Sequence, residues 1–185
     1  VLVALAAGSD AAYSGAMFYL LIYAIMNLGA FGVMAMLEWD GKEGRVQTLD
    51  SLAGIGLEKP VLGIAMGVFM FSLTGFPPLG GFMGKYAVFA PAIDAGLTWL
   101  VLIGVLMSAV SAYYYLRVVY VFWMQSAEDT PEAQAATRTF AFSDTPATAM
   151  IVLCAVALVV LGVYSGGLLD LTLGFFDPAM MAVTP

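Results

Sequence analysis

The sequence contains no histidine and only one cysteine among its 185 residues. Zinc sites, haem, iron–sulfur clusters and disulfide frameworks depend on those two residue types. We therefore expect this chain to hold no metal and no disulfide. Cys154 lies in an apolar run and is expected to be a small buried side chain.

Charged residues are also scarce, at 10% of the chain compared with about a quarter in ordinary soluble domains. Only six residues are Lys or Arg, and the net charge is −7, which makes nucleic acid an unexpected partner. Apolar residues take the place of the missing charge, at 62% of the chain, and the mean hydropathy is +0.96. This composition indicates a polytopic helical protein embedded in a lipid bilayer.

Three apolar runs reach the roughly 20 residues that a membrane-spanning helix needs. We predict spans over 13–37, 97–124 and 148–169, with loops over 38–60 and 125–146. Residues 1–8 resemble the end of a preceding helix, without an initiator Met or a basic leader, which suggests a piece of a longer chain.

The segment 61–93 is too long for one straight span and too short for two spans with a turn, which need about 40 residues. Glycine and proline interrupt it, and both weaken a helix. The interrupting residues are Gly75, Pro77, Pro78, Gly80 and Gly81. We predict a single crossing made of two half-helices and broken at 75–81, with a re-entrant hairpin as the alternative.

The positions of the basic residues favour the single crossing. In that topology five of the six lie on one side of the membrane: Lys42, Arg45, Lys59, Arg117 and Arg138. The positive-inside rule then places the loops 38–60 and 125–146 in the cytoplasm. In the hairpin topology Arg138 would change sides, and the asymmetry would weaken.

The sixth basic residue, Lys85, lies inside the broken segment, and no other charge occurs there before Asp94. An ammonium group in hydrocarbon is unfavourable, so its presence indicates a function. About 12 Å of helix separates it from Asp94, which is too far for its side chain to reach the interface easily. Because removal from water favours the neutral amine, Lys85 is a candidate proton carrier. The alternative is a lysine that only extends to the interface.

Two hydroxyl residues precede the break. Proline cannot donate a backbone hydrogen bond, so the carbonyls near Leu73 and Thr74 are expected to be open to water or a hydroxyl. Ser72 and Thr74 are candidates for proton wiring, and bonding to their own helix backbone is an equal alternative. In the first span, Asn27 with Gly29 and Gly32 suggests close helix packing and an interhelical hydrogen bond.

Residues 72–86, SLTGFPPLGGFMGKY, resemble the broken-helix signature of the antiporter-like subunits of respiratory complex I. YLLIYAIMNLGAF at 19–31 and YYYLRV at 113–118 are together similar to the subunit N family of NADH:quinone oxidoreductase. The first motif is shared with related cation/proton antiporter and membrane hydrogenase subunits, whereas the other two are more specific. The resemblance covers residues 13 to about 169.

The resemblance implies an all-α, polytopic transmembrane helix bundle of the antiporter-like, inverted-repeat type with one discontinuous helix. This chain would be its C-terminal part, and Lys85 would be the lysine at the middle of the membrane. The glutamate and lysines of the other repeat have no counterpart in this sequence and are expected in a part of the protein not shown here.

The resemblance further implies a proton-translocating subunit in which Lys85 carries the proton and no redox chemistry occurs. NADH, FMN, iron–sulfur clusters and quinone would be bound by other subunits. The expected partners are neighbouring membrane subunits, including other antiporter-like ones. The expected location is the bacterial inner membrane, with an organellar inner membrane as the alternative. The competing functions are a cation/proton antiporter subunit and a structural membrane subunit.

Overall fold

The computed structural model describes residues 1–39, 48–126, 128, 138–140 and 145–174, and these are mostly helical. The helices are α1 (Leu2–Ala7), α2 (Asp10–Ala35), α3 (Ile55–Glu58), α4 (Pro60–Thr74), α5 (Gly80–Asp94), α6 (Thr98–Trp123), α7 (Thr145–Val163) and α8 (Ser165–Gly174). Lys42, Arg45, most of the loop 125–146 and the tail 175–185 lie outside the described residues.

Three helices in the described part of the chain are long and apolar enough to cross a membrane, namely α2, α6 and residues Pro146–Val163 of α7. The helices α4 and α5 have 15 residues each. Each is therefore about 22 Å long, less than the roughly 30 Å of a hydrocarbon core. Neither half-helix is long enough to span by itself.

The helix α2 begins at Asp10, three residues before the predicted start at 13. The hydroxyl of Ser9 accepts a hydrogen bond from the backbone N–H of Ala12 at 3.2 Å. Serine at this position satisfies one of the free N–H groups of the first turn, and the carboxylate of Asp10 favours the positive end of the helix dipole. The start of α2 is thus set by polar residues that precede the apolar run.

The half-helices α4 and α5 follow one another along α2. Near its beginning, α2 contacts α5, where Gly15 lies against the backbone of Ala87. Farther along, α2 contacts α4, where Gly29 lies against the ring of Phe69. Because the partner numbers fall as the numbers in α2 rise, α4 and α5 together run antiparallel to α2, as one interrupted helix does.

The helix α6 shows the same order on another side of α4 and α5. Gly104 lies against the ring of Phe89 in α5, with its nearest ring atoms 3.1 Å from the position of a Cβ. At the other end of α6, the indole of Trp123 donates to the carbonyl oxygen of Gly63 in α4 at 3.4 Å. The helix α6 therefore also runs antiparallel along both half-helices.

The segment that follows α2 and the segment that precedes α7 meet at the same end of the bundle. The strand β1 (Leu37–Trp39) follows α2, β2 (Arg138–Phe140) precedes α7, and the two pair in antiparallel fashion. Consistent with this pairing, Gly32 near the end of α2 lies against Ile151 near the start of α7. The core of the bundle is apolar, with Phe18, Ile22 and Leu158 at 1% exposure or less.

The segment 38–60, predicted as a loop, contains ordered and buried structure. A 3₁₀ turn over Leu49–Leu52 leads into α3, and Leu52, Ala53 and Ile55 are buried. The backbone N–H of Gly54 donates to the carbonyl oxygen of Val121 in α6 at 3.2 Å. Short apolar stretches between the polar residues of this segment pack on the end of α6. The lengths of the apolar runs alone do not predict this packing.

The predicted span 148–169 covers two helices, α7 and α8, which meet at Tyr164. Gly162 precedes this interruption and lies against the backbone of Pro78 and Leu79 at the first break. Gly166 and Gly167 follow it, and glycine is a poor helix former. The helix α7 is long enough to cross a membrane without α8, so this interruption lies near the end of the predicted span.

Candidate functional site

The end of α4 is a glycine-terminated helix cap. Gly75 has a φ of 91°, a left-handed conformation that favours glycine. The N–H of Gly75 bonds to the carbonyl oxygen of Ser72 at 3.0 Å, and the N–H of Phe76 bonds to that of Phe71 at 3.0 Å. Together these bonds form a Schellman motif. The motif uses two of the last carbonyls of α4 and leaves those of Leu73 and Thr74 without helical partners.

The side chain of Lys85 donates hydrogen bonds to both of these carbonyls. Its Nζ donates to the carbonyl oxygen of Thr74 at 2.8 Å and to that of Leu73 at 3.1 Å. The sequence predicted that these carbonyls would be open to water or a hydroxyl, and in the structure both accept from the ammonium group on the other side of the break. The C-terminal end of a helix carries partial negative charge, so it stabilises a cation at this position.

The start of α5 is capped from α4 rather than from its own N-cap residue. Leu79 at the N-cap has no side-chain acceptor, and the hydroxyl of Ser72 accepts from the N–H of Gly81 at 3.0 Å. Ser72 is fully buried. Its hydroxyl therefore joins the two half-helices across the break.

Thr74 bonds to its own helix, where its Oγ1 donates to the carbonyl oxygen of Met70 at 2.9 Å. The amide of Asn27 likewise donates within its own helix, to the carbonyl oxygen of Tyr23 at 2.8 Å. Within the described residues, the predicted interhelical hydrogen bond of Asn27 is not formed. The predicted close packing of Gly29 and Gly32 is confirmed by their contacts with Phe69 and Ile151.

The predicted break residues have different neighbours in the structure. Gly75 lies against the Lys85 side chain, with Nζ 3.0 Å from the position of a Cβ. Gly80 and Gly81 belong to the first turn of α5 rather than to the break itself. Pro77 and Pro78 are exposed, and the carbonyl of Pro78 faces Gly162 in α7.

Beside Lys85 lies a cavity of about 200 Å³ between α2 and α6. Its lining includes Leu73, Lys85 and five hydroxyl side chains: Tyr19, Tyr23, Ser108, Ser111 and Tyr115. A cavity of this size holds several water molecules, each of which occupies about 30 Å³ of liquid. Lys85 is half-buried at the edge of this cavity, whose lining also includes the apolar side chains of Met26 and Met107.

Sequence reasoning missed these five hydroxyl side chains. Tyr19 and Tyr23 are four residues apart on α2 and their rings stack at 5.8 Å, while Ser108 and Ser111 are three residues apart on α6. Side chains at these spacings share one helix face. Polar residues at helical spacing inside apolar spans could have indicated each of these two helix faces. That the two faces line one cavity depends on the packing of α2 and α6 beside the same break, which the sequence does not show.

Within the described ranges no three His, Cys, Asp or Glu side chains lie close enough to hold a metal ion. No carboxylate in that same part of the chain forms an ion pair with Lys85, which donates to two backbone carbonyls instead. The chemistry at the break is therefore that of one amine, two carbonyl oxygens and neighbouring hydroxyl groups.

Comparison with known proteins shows which family this chain resembles. Residues 1–111 match the family described as "NADH:quinone oxidoreductase/Mrp antiporter, TM". The NADH-quinone oxidoreductase subunit N of Salinibacter ruber is 68% identical over the whole of this chain and 37% of its own length. The subunit N 1 of Chloroherpeton thalassium is 38% identical over 93% of this chain and 34% of its own length.

A chain of respiratory complex I from Thermus thermophilus, solved with bound aureothin, superimposes with a TM-score of 0.73 at 36% identity. The alignment covers 91% of this chain and 35% of that one, so the chain spans about a third of the length of its relatives. The predicted all-α bundle of the antiporter-like type is confirmed by this fold, and the resemblance to subunit N by the relatives above. The chain therefore belongs to the NADH:quinone oxidoreductase/Mrp antiporter transmembrane family.

Proposed function

We propose that this chain is part of a proton-translocating membrane subunit of an NADH:quinone oxidoreductase and that Lys85 carries the proton. The observation that supports this most is the position of the Lys85 ammonium group. It bonds to the two free carbonyls of α4 while lying at the edge of a cavity lined by hydroxyl groups. The relatives named as subunit N support the identity of the complex.

The geometry links the protonation of Lys85 to its position. The charged amine is attracted to the negative end of α4 and donates to both carbonyls, whereas the neutral amine loses the charge-assisted part of this attraction. Hydroxyl side chains and water in the cavity supply groups that can deliver or accept the proton. A change in the charge of a neighbouring group would then move Lys85 between the α4 carbonyls and the cavity.

In this proposal the chain performs no bond chemistry of its own. NADH oxidation and quinone reduction, with the FMN and iron–sulfur clusters they require, belong to other subunits, and no residue here is assigned to them. The partners are neighbouring membrane subunits, including other antiporter-like ones, and the surrounding lipid. The energy of quinone reduction reaches Lys85 through charged groups in these neighbours and in the remainder of the subunit.

The proposed location is the bacterial inner membrane, with the loops 38–60 and 125–146 in the cytoplasm. The pairing of β1 with β2 supports a common side for both loops, and the basic residues of the sequence favour the cytoplasm. Single cysteines placed in each loop, in a Cys154→Ala background, test the arrangement with a membrane-impermeant thiol reagent. Labelling of the two loops from opposite faces would contradict one interrupted crossing.

The central test replaces Lys85 by alanine in the complete subunit of the intact complex. We expect assembled complex with reduced quinone reductase activity and proton pumping, because the amine that bonds to the α4 carbonyls is lost. Lys59→Ala is the matched control, since Lys59 is an exposed lysine at the start of α4, and it should leave pumping unchanged. Normal pumping by Lys85→Ala would contradict the proposal.

The variant Lys85→Arg separates proton transfer from a purely electrostatic or capping role. Arginine keeps the charge and the donors for the α4 carbonyls, but a guanidinium group does not deprotonate in proteins. We therefore expect impaired pumping together with normal assembly. Unaltered pumping would leave Lys85 as a helix cap, and lost assembly with normal specific activity in the remaining complex would favour a structural subunit. Proton movement that depends on an ion gradient rather than on NADH would favour the antiporter alternative.

A further inference from the structure

The carbonyls of Leu73 and Thr74 converge on one nitrogen atom. They lie 3.1 and 2.8 Å from Nζ of Lys85, at the end of α4 where the helix dipole is negative. The adjoining carbonyls of Phe71 and Ser72 are already bonded to Phe76 and Gly75. The two remaining carbonyls therefore form a defined acceptor pair, which we call the carbonyl cradle.

The cradle matches the chemistry of a primary ammonium ion. Such an ion carries a positive charge and three N–H donors, so it can satisfy both carbonyls and still bond to water or a hydroxyl. Hard metal cations fit less well, because Mg²⁺ and Ca²⁺ take about six or more oxygen ligands and the cradle supplies two. The neighbouring cavity of about 200 Å³ gives space for a small organic cation and its water.

We propose that the carbonyl cradle is a binding site for primary ammonium ions, which in the native chain is occupied by the ammonium group of Lys85 itself. A small free amine enters from the cavity and takes the same place when the lysine side chain is removed. The site is formed by the backbone of α4 and by the cap at Gly75, and it does not require the lysine for its shape. This inference rests on the proposed function only where pumping is the readout.

The test uses the intact complex with Lys85→Ala in the complete subunit and methylammonium as the added ligand. We expect a saturable rise in pumping of about fivefold or more over the rate without amine, since a hydrogen bond to a charged group shifts an equilibrium by about tenfold or more. Tetramethylammonium, which has charge but no N–H, should give no rise. Equal rescue by tetramethylammonium or by sodium would overturn the assignment to a hydrogen-bonding ammonium ion.

Lys85→Met is the matched control, because methionine fills much of the space that alanine leaves open while it supplies no charge. Methylammonium should not rescue this variant. Equal rescue of the methionine and alanine variants would mean that the amine acts elsewhere, and it would overturn the proposal. The wild-type complex, whose cradle is occupied, should show no rise in pumping with either cation.

A second readout is independent of pumping. Methylammonium should raise the thermal unfolding midpoint of the Lys85→Ala complex by a few degrees and leave those of the wild type and of Lys85→Met unchanged. If Lys85→Ala pumps normally but is stabilised by methylammonium, the cradle stands and the proposed role of Lys85 fails. If Lys85→Ala is inactive and gains neither pumping nor stability from the amine, the cradle fails alone. If the Lys85→Ala complex does not assemble, the amount of complex formed is measured with and without methylammonium in the growth medium instead of the unfolding midpoint. Methylammonium should then raise the amount of Lys85→Ala complex and leave that of Lys85→Met unchanged.

Discussion

The hydroxyl of Ser72 on α4 accepts a hydrogen bond from the backbone N–H of Gly81 on α5, at 3.0 Å. The two backbones are so close here that a Cβ on Gly81 would overlap the carbonyl oxygen of Ser72 and lie 2.7 Å from its carbonyl carbon. One side-chain bond and one glycine therefore fix the distance between the half-helices. That distance also sets how Lys85, one turn farther along α5, meets the α4 carbonyls.

Gly81→Ala should destabilise the protein by roughly 1–3 kcal/mol, because the new methyl group forces the two half-helices apart. Gly67→Ala on α4 is the matched control, since a Cβ there meets nothing within 4 Å and alanine should stabilise the helix by up to about 1 kcal/mol. The measurement is the thermal unfolding midpoint of each variant in detergent. Equal midpoints for both variants would contradict the close approach of the two half-helices at Gly81.

Ser72→Ala should cost about 1 kcal/mol, because it removes the acceptor for the N–H of Gly81 at the start of α5. Thr74→Val should cost less, because the Thr74 hydroxyl bonds only to its own helix. Comparing the two unfolding midpoints checks the order. Measuring proton pumping in the same two variants distinguishes the two predicted roles of these hydroxyls. If the hydroxyls are structural, pumping should fall in neither variant, because Lys85 is intact. A fall in pumping without a loss of stability would support proton wiring.

Composition and local pattern were enough to predict the break and its lysine. A charge surrounded by apolar residues, next to a proline pair, can be recognised in the sequence because an ammonium group in hydrocarbon is unfavourable and two prolines interrupt the helical hydrogen bonds. What holds the Lys85 ammonium could not be predicted in the same way. Which carbonyls remain free depends on the Schellman motif at Gly75, whose bonds follow from φ and ψ rather than from residue type.

The interruption between α7 and α8 shows the same limit. Residues 148–169 are apolar throughout most of their length, and hydropathy reads them as one span. Gly162 is ordinary in a membrane helix, and its importance comes from the backbone of Pro78 lying against it. That contact joins residues more than 80 positions apart in the chain. The residues around Gly162 in the sequence do not predict a contact with Pro78.

Gly162→Ala should therefore be harmful although alanine favours helices. The new methyl group would overlap the carbonyl oxygen of Pro78 and lie 2.6 Å from the carbonyl carbon of Leu79, so α7 must move away from the break at a cost of roughly 1–3 kcal/mol. Gly166→Ala in α8 is the control, because a Cβ there meets nothing within 4 Å. The measurement is the amount of assembled complex together with its unfolding midpoint. A harmless Gly162→Ala would contradict the contact between the two interruptions.

The short helix α8 is fixed to α2 by a buried pair of hydroxyl groups. Ser14 donates to Oγ1 of Thr172 at 2.8 Å, and Thr172 donates in turn to the carbonyl oxygen of Leu169 at 2.8 Å. Both side chains are almost completely buried, at 0% and 3% exposure. A double-mutant cycle with Ser14→Ala and Thr172→Val isolates the bond between them, because each change removes one hydroxyl with little change in volume.

Each single variant should lose about 1 kcal/mol of stability, and Thr172→Val should lose more because it leaves the buried Ser14 hydroxyl without its acceptor. The double variant should lose less than the sum of the two, by roughly 0.5 kcal/mol or more, since the second change removes a group that already lacks its partner. Unfolding midpoints of the four proteins in detergent measure this difference. Strictly additive losses would mean that the two hydroxyls do not bond to each other, and α8 would then be held against α2 by its apolar contacts alone.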